Sequence, residues 1–76
     1  MDISALHLLS AIAQHGSFAA AARVLDLDPS SVSRVIANLE NELSMRLFER
    51  TTRSLALTEA GTAYLDRIKP ILADLD

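Results

Sequence analysis

The polar residues between positions 30 and 41 are the ones whose types and spacing could do chemistry. Wound as a helix, Ser30, Ser31, Ser33, Arg34, Asn38 and Asn41 lie with Ala37 opposite an apolar stripe, and no acid enters that segment before Glu40 and Glu42. Small residues near a helix start let the backbone approach a groove of DNA, and a few longer donors can then reach the edges of bases. Arg34 carries the planar fork that grips O6 and N7 of a guanine, or a phosphate. The serines can bond to a base or to a phosphate oxygen. The same pattern also describes a solvated face of an ordinary helix whose serines crowd a well-capped start.

The charge map bears on that choice. The 76 residues carry a net charge of −3, which taken alone argues against a polyanionic partner. That net charge is carried by the two ends, because residues 23–53 balance five Arg against five acids. Residues 44–54 hold Arg46, Arg50 and Arg53 against the single acid Glu49. Six of the seven basic residues are Arg, which suits planar contact with phosphate or base. Arg53, flanked by Thr52 and Ser54, has no acid within three residues, and an arginine at a hairpin tip can enter a minor groove, where the field is most negative. Arg46 and Arg50 can instead pair with Glu40, Glu42 or Glu49, and for Arg46 pairing is the preferred reading. The hydroxyls of Thr51, Thr52 and Ser54 fit phosphate contacts, and fit a short strand and turn equally well.

No catalytic constellation stands beside these residues. His7 and His15, eight apart, sit about 80° apart around a straight helix. No carboxylate or thiol is spaced to join them in a metal site. Glu40 and Glu42 point apart, and there is no Gly-rich phosphate loop. The chain has no Cys, which fits a reducing, cytoplasmic setting, and its longest apolar runs fall far short of the ~18 residues of a membrane span. No catalytic residue, metal ligand or cofactor is expected in this domain.

The elements that must position these residues are mostly helical. The apolar half of the chain is dominated by 13 Leu and 12 Ala, against 8 Ile or Val, and Leu and Ala are strong helix formers. Ala5, Leu8, Leu9 and Ile12 predict a first helix over 3–14, ended by Gly16. Ser17 is placed to cap a second helix through about Leu25, with Phe18, Ala21, Ala22 and Leu25 as its buried stripe. Asp28 followed by Pro29 reads as a capping carboxylate and a first-turn proline, opening a third helix lined by Val32, Ile36, Leu39 and Leu43. Two short strands, around 47–50 and 54–57, then flank a tip at Thr51-Thr52-Arg53. Thr58 caps a last helix, in which Gly61, Tyr64, Ile68, Ile71 and Leu75 recur at 3, 4, 3, 4, the spacing of a heptad seam.

The ordered set Gly16-Ser17-Phe18, Ala21-Ala22, Leu25, Ser33-Arg34, Ile36, Leu39-Glu40, Leu47-Phe48-Glu49-Arg50-Thr51-Thr52-Arg53 and Leu57-Thr58-Glu59-Ala60-Gly61 strongly resembles the LysR-type transcriptional regulators. It runs in register over essentially the whole chain. The resemblance implies a mainly α, winged helix-turn-helix fold: a three-helix core, a two-stranded wing over 46–57 and a C-terminal linker helix. Residues 1–58 would be the DNA-binding domain, and 59–76 the start of the helix through which two subunits pair. Pro29, Ser30, Ser33 and Arg34 would meet the major groove, with Ser31 and Asn38 beside them, while Arg50, Thr51 and Arg53 would meet backbone and minor groove. Tyr64, Ile68, Ile71 and Leu75 would form the homodimer seam. A C-terminal effector-sensing domain, which would bind the small-molecule effector, lies outside this chain. Three positions depart from the family pattern: Pro29 where Gln is common, Ser44 where Gly is usual, and Pro70 inside the linker helix, where a kink is expected.

The function implied is sequence-specific binding of double-stranded DNA by a dimeric bacterial transcription regulator, with no membrane association. The alternative is a winged-helix interaction or dimerisation module that does not bind DNA. It is favoured by the acidic balance and the heptad.

Overall fold

The computed structural model describes residues 3–50 and 55–75. Its order is α1 (Ile3–His15), α2 (Phe18–Leu25), α3 (Pro29–Leu43), β1 (Phe48–Arg50), β2 (Leu55–Leu57) and α4 (Glu59–Leu75). The two strands pair antiparallel, Phe48 opposite Leu57 and Arg50 opposite Leu55. Helix α1 is the hub, packing against α2, α3 and α4.

Local chemistry sets the boundaries. Gly16 has φ +76°, the left-handed conformation that ends α1 without a side-chain penalty. The Ala20 amide donates to Ser17 Oγ at 2.8 Å, so Ser17 caps α2. Asp28 occupies the cap position of α3, but its carboxylate makes no capping bond. It accepts a hydrogen bond from the Ser30 hydroxyl instead. A neighbouring side-chain donor has outcompeted the backbone amides, and Pro29 at the first turn removes one amide that would have needed a cap. Ser44 ends α3 at φ 54°, standing in the left-handed position that glycine usually fills.

The core is built from the predicted stripes. Leu8, Leu9 and Ile12 of α1 meet Ala21 and Ala22 of α2 and Val32, Ile36 and Leu39 of α3, all buried. The fourth residue of the α2 stripe, Leu25, is 41% exposed. It sits at the helix end and borders a shallow apolar groove with Leu8, Leu27 and Val35. From the wing, Leu47 and Phe48 are buried, and the Phe48 ring meets Phe18 edge to face at 5.6 Å.

Helix α4 corrects one expectation. Its buried stripe is Gly61, Leu65, Ile68 and Leu72, spaced 4, 3, 4, facing the core that includes α1. Ile68 is only 5% exposed, so it belongs to the fold of one chain and is not available for the predicted seam. Both stripes pass through Ile68, and only the tertiary partner distinguishes them. Tyr64 is half-buried and Ile71 is 55% exposed, leaving those two toward the outside; Leu75 is the last helical residue, and its side chain lies outside the description. The helix is continuous through Pro70. Pro70 and Asp66 are both exposed, so the Asp66 carbonyl that loses its partner lies on the solvent side. No described helix is long and apolar enough to cross a membrane.

Candidate nucleic-acid interface

With Val32, Ile36 and Leu39 fixed in the core, the opposite face of α3 is forced outward. Pro29, Ser30, Arg34, Ala37, Asn38 and Asn41 are exposed, and Ser31 and Ser33 are half-buried on its two flanks. The predicted contact residues of the helix therefore divide into an outer row and two shoulders. The first turn has no acidic residue. Asp28 just before it is engaged by Ser30, which changes what Ser30 can offer. Its hydroxyl proton points to the carboxylate, so toward a ligand it presents lone pairs and not a donor. Of the predicted row, Arg34 is then the long, freely directed donor.

The wing is attached to this helix by a side chain that sequence reasoning assigned elsewhere. Glu40 was a candidate ion-pair partner for Arg46. In the structure, its Oε2 accepts the backbone amide of Leu47 at 2.7 Å and that of Phe48 at 3.4 Å. A charge-assisted bond to a backbone amide is about twice as strong as a neutral one, whereas an exposed ion pair contributes little, so this use of the carboxylate is the favoured one. The backbone of the same residue accepts the Met45 amide at 3.1 Å, closing the end of α3. A groove lined by Ala37, Glu40, Asn41, Ser44, Met45 and Arg46 lies between the helix and the approach to β1.

The other end of the wing is tied to α4. The Thr58 amide donates to the Leu47 carbonyl at 2.9 Å, and the Thr58 hydroxyl donates to the Arg46 carbonyl. The Gly61 amide donates back to Thr58 Oγ1 at 2.8 Å, so Thr58 caps α4 as its type predicted. Gly61 lies so close that a Cβ there would fall 2.2 Å from the Leu47 carbonyl oxygen. Leu47 thus joins three elements through one residue.

Of the predicted wing contacts, Arg50 lies on β1 with its side chain outside the description, and Thr51 and Arg53 fall outside the described residues. His15 is exposed and His7 half-buried on α1. Burial raises the Tyr64 phenol above its ordinary pKa, and the Glu42 charge adds to that shift, so Tyr64 stays neutral at physiological pH.

Residues 3–62 match the family of bacterial regulatory helix-turn-helix proteins of the lysR type. The chain belongs to the LysR family. Among its curated relatives, an HTH-type transcriptional regulator of Sinorhizobium fredii, y4mQ, is 47% identical over 74 residues, covering 97% of this chain and 25% of that protein. The Escherichia coli transcriptional activator AaeR is 39% identical over 70 residues, covering 92% of this chain and 23% of the activator. The chain thus spans about a quarter of the length of these regulators. Among solved structures, the BenM DNA-binding domain in complex with catB site 1 DNA superposes with a TM-score of 0.96 at 32% identity, covering 100% of this chain and 85% of that one. The winged-helix architecture of this LysR chain is therefore that of the DNA-binding domains of such regulators, and the relatives are regulators of transcription.

Proposed function

We propose that this LysR-family domain binds double-stranded DNA with sequence preference, as the reading head of a bacterial transcription regulator. One observation carries the reading: an outward row of small and polar residues around a single arginine, Ser30, Arg34, Ala37 and Asn38, on a helix whose opposite side is locked into the core. Helix α3 lies in the major groove, with Arg34 directed to base edges and Pro29, Ser30, Ser31, Ser33 and Asn38 lining the approach. The wing, through Arg50, Thr51 and Arg53, follows the phosphate backbone into the adjacent minor groove.

Residues 59–76 begin the linker helix, and two copies pair through it. Ile71 is the exposed apolar anchor, with Tyr64 and Leu75 on the same predicted seam. Pairing sets two α3 helices on two half-sites of an inverted repeat. The remaining length of the relatives would hold the effector-sensing part, with the whole regulator in the cytoplasm. The interaction-module reading gains nothing from the family match or from the likeness to a DNA complex.

Selection of bound sequences from a random duplex pool tests this directly, paired with titration of the enriched duplex at two salt concentrations. Enrichment of an inverted repeat and a steep fall of affinity with salt are expected. An unenriched pool, or binding indifferent to salt, would refute it.

A further inference from the structure

A two-stranded ribbon of three-residue strands is not stable alone, so the wing takes its direction from whatever holds its ends. On the α4 side the hold is the Thr58–Leu47 and Thr58–Arg46 pair of bonds with the close approach of Gly61. On the α3 side it is Glu40. One carboxylate oxygen receives two successive amides, those of Leu47 and Phe48, at the point where the chain turns from the helix into β1. Leu47 precedes the paired register, which begins at Phe48, so its amide lies outside the strand ladder and finds its partner in Glu40. Its side chain is fully buried, and its carbonyl is held by Thr58. The peptide is therefore fixed on three sides.

We infer that Glu40 is a positioning residue for DNA binding: by holding the Leu47 and Phe48 amides it sets the angle between wing and α3 at which both can engage one duplex. This rests on the DNA-binding reading above. Glu40 needs no contact with DNA for the role, and its negative charge would be unfavourable as a phosphate contact. Without the tether the helix keeps its seat in the core, because Val32, Ile36 and Leu39 hold it. The wing would lose its fixed direction, so base preference survives while the backbone contacts weaken.

The test compares Glu40→Ala, Glu40→Gln, Arg53→Ala and the double variant Glu40→Ala/Arg53→Ala on the duplex selected with the wild type. Arg53→Ala should lower the slope of log affinity against log salt by about one. Glu40→Ala should lower it similarly, and the double variant should be no lower than either single one. The selected sequence should stay the same, and Glu40→Gln, which keeps an acceptor oxygen, should retain most of the wild-type slope. Additive effects in the double variant, or an unchanged slope in a Glu40→Ala protein that merely melts earlier, would overturn the proposal. So would a Glu40→Gln variant as impaired as the alanine. Amide hydrogen exchange gives a readout free of DNA. The Leu47 amide should exchange faster in Glu40→Ala while the α1 core amides do not, and unchanged Leu47 protection would also overturn the proposal. If the wild type shows no salt-dependent duplex binding, the DNA reading fails. The tether is then judged by residual dipolar couplings: a rotation of β1 relative to α3 in Glu40→Ala supports it, and an unchanged orientation in that variant refutes it.

Discussion

Replacing Gly61 by Ala puts the junction between wing and α4 under a measurable load. Ordinary reasoning favours the change, since Ala exceeds Gly in helix propensity by up to about 1 kcal/mol. The geometry opposes it. The added Cβ would meet the Leu47 carbonyl oxygen at 2.2 Å, the carbonyl carbon at 2.9 Å and the Cα at 3.0 Å. All three are backbone atoms, so no side-chain rotation relieves the contact. Overpacking of this kind costs about 1–3 kcal/mol. The displaced carbonyl also accepts the Thr58 amide, and loss of that bond adds about 1 kcal/mol. The net expectation is a destabilisation of about 1–3 kcal/mol, which lowers the melting temperature by roughly 5–20 °C in a domain of this size. Urea and thermal unfolding by circular dichroism at one fixed protein concentration measure it. Ala60→Gly, at the exposed neighbouring position, supplies the propensity term separately. A Gly61→Ala protein as stable as the wild type, or stabilised by the propensity increment, would show that α4 does not approach Leu47 this closely.

Three other outcomes are expected. Arg34→Ala should cost about 1–3 kcal/mol on the selected duplex and relax preference at one base position; a uniform loss across sequences would make Arg34 a phosphate contact only. Ser17→Ala removes the cap of α2 and should destabilise the fold by about 0.5–2 kcal/mol in urea titration, with Ser17→Asp restoring most of it. Ile71→Glu should leave monomer stability within about 0.5 kcal/mol, because the site is exposed, and weaken self-association measured by sedimentation equilibrium; an unchanged dimer constant would remove Ile71 from the interface.

Much of this fold was legible where a local rule decides the outcome. Gly16 and Ser17 mark the α1–α2 corner because the left-handed turn and the cap each depend on one residue's own chemistry. The span of α3 from Pro29 to Leu43 followed from a first-turn proline and a stripe whose period only a helix satisfies. The misreadings share a different cause, since each turned on a competitor distant in the chain or equal in local merit. Asp28 could cap the helix or bind Ser30, and both partners lie within three residues. Glu40 could pair with an arginine or take amides seven and eight residues later, and periodicity is silent about the second choice. Helix α4 carries two interleaved stripes, and contact with α1 selects Leu65 and Leu72 over Tyr64 and Ile71. Gly61 was assigned to a heptad, whereas its reason for being Gly is the Leu47 carbonyl against it.

The charge balance is where composition misleads most, and the structure explains why. The molecule is 33 Å along its longest axis, while the screening length at physiological salt is about 8 Å. A phosphate against one face therefore responds to the charges of that face, and a sum over the whole chain is the wrong quantity. Of the four acids on or just before α3, Asp28 holds the Ser30 hydroxyl and Glu40 holds the Leu47 and Phe48 amides, while Asp26 and Glu42 are exposed. The acids of α4, among them Asp66 and Asp74, lie on a helix that packs behind α1 and β2. The net negative charge then acts chiefly against long-range, sequence-independent attraction to DNA. Under the DNA-binding reading proposed above, that weakens attraction to duplex in general while the local contacts of α3 and the wing remain, which widens the difference between the right site and all others.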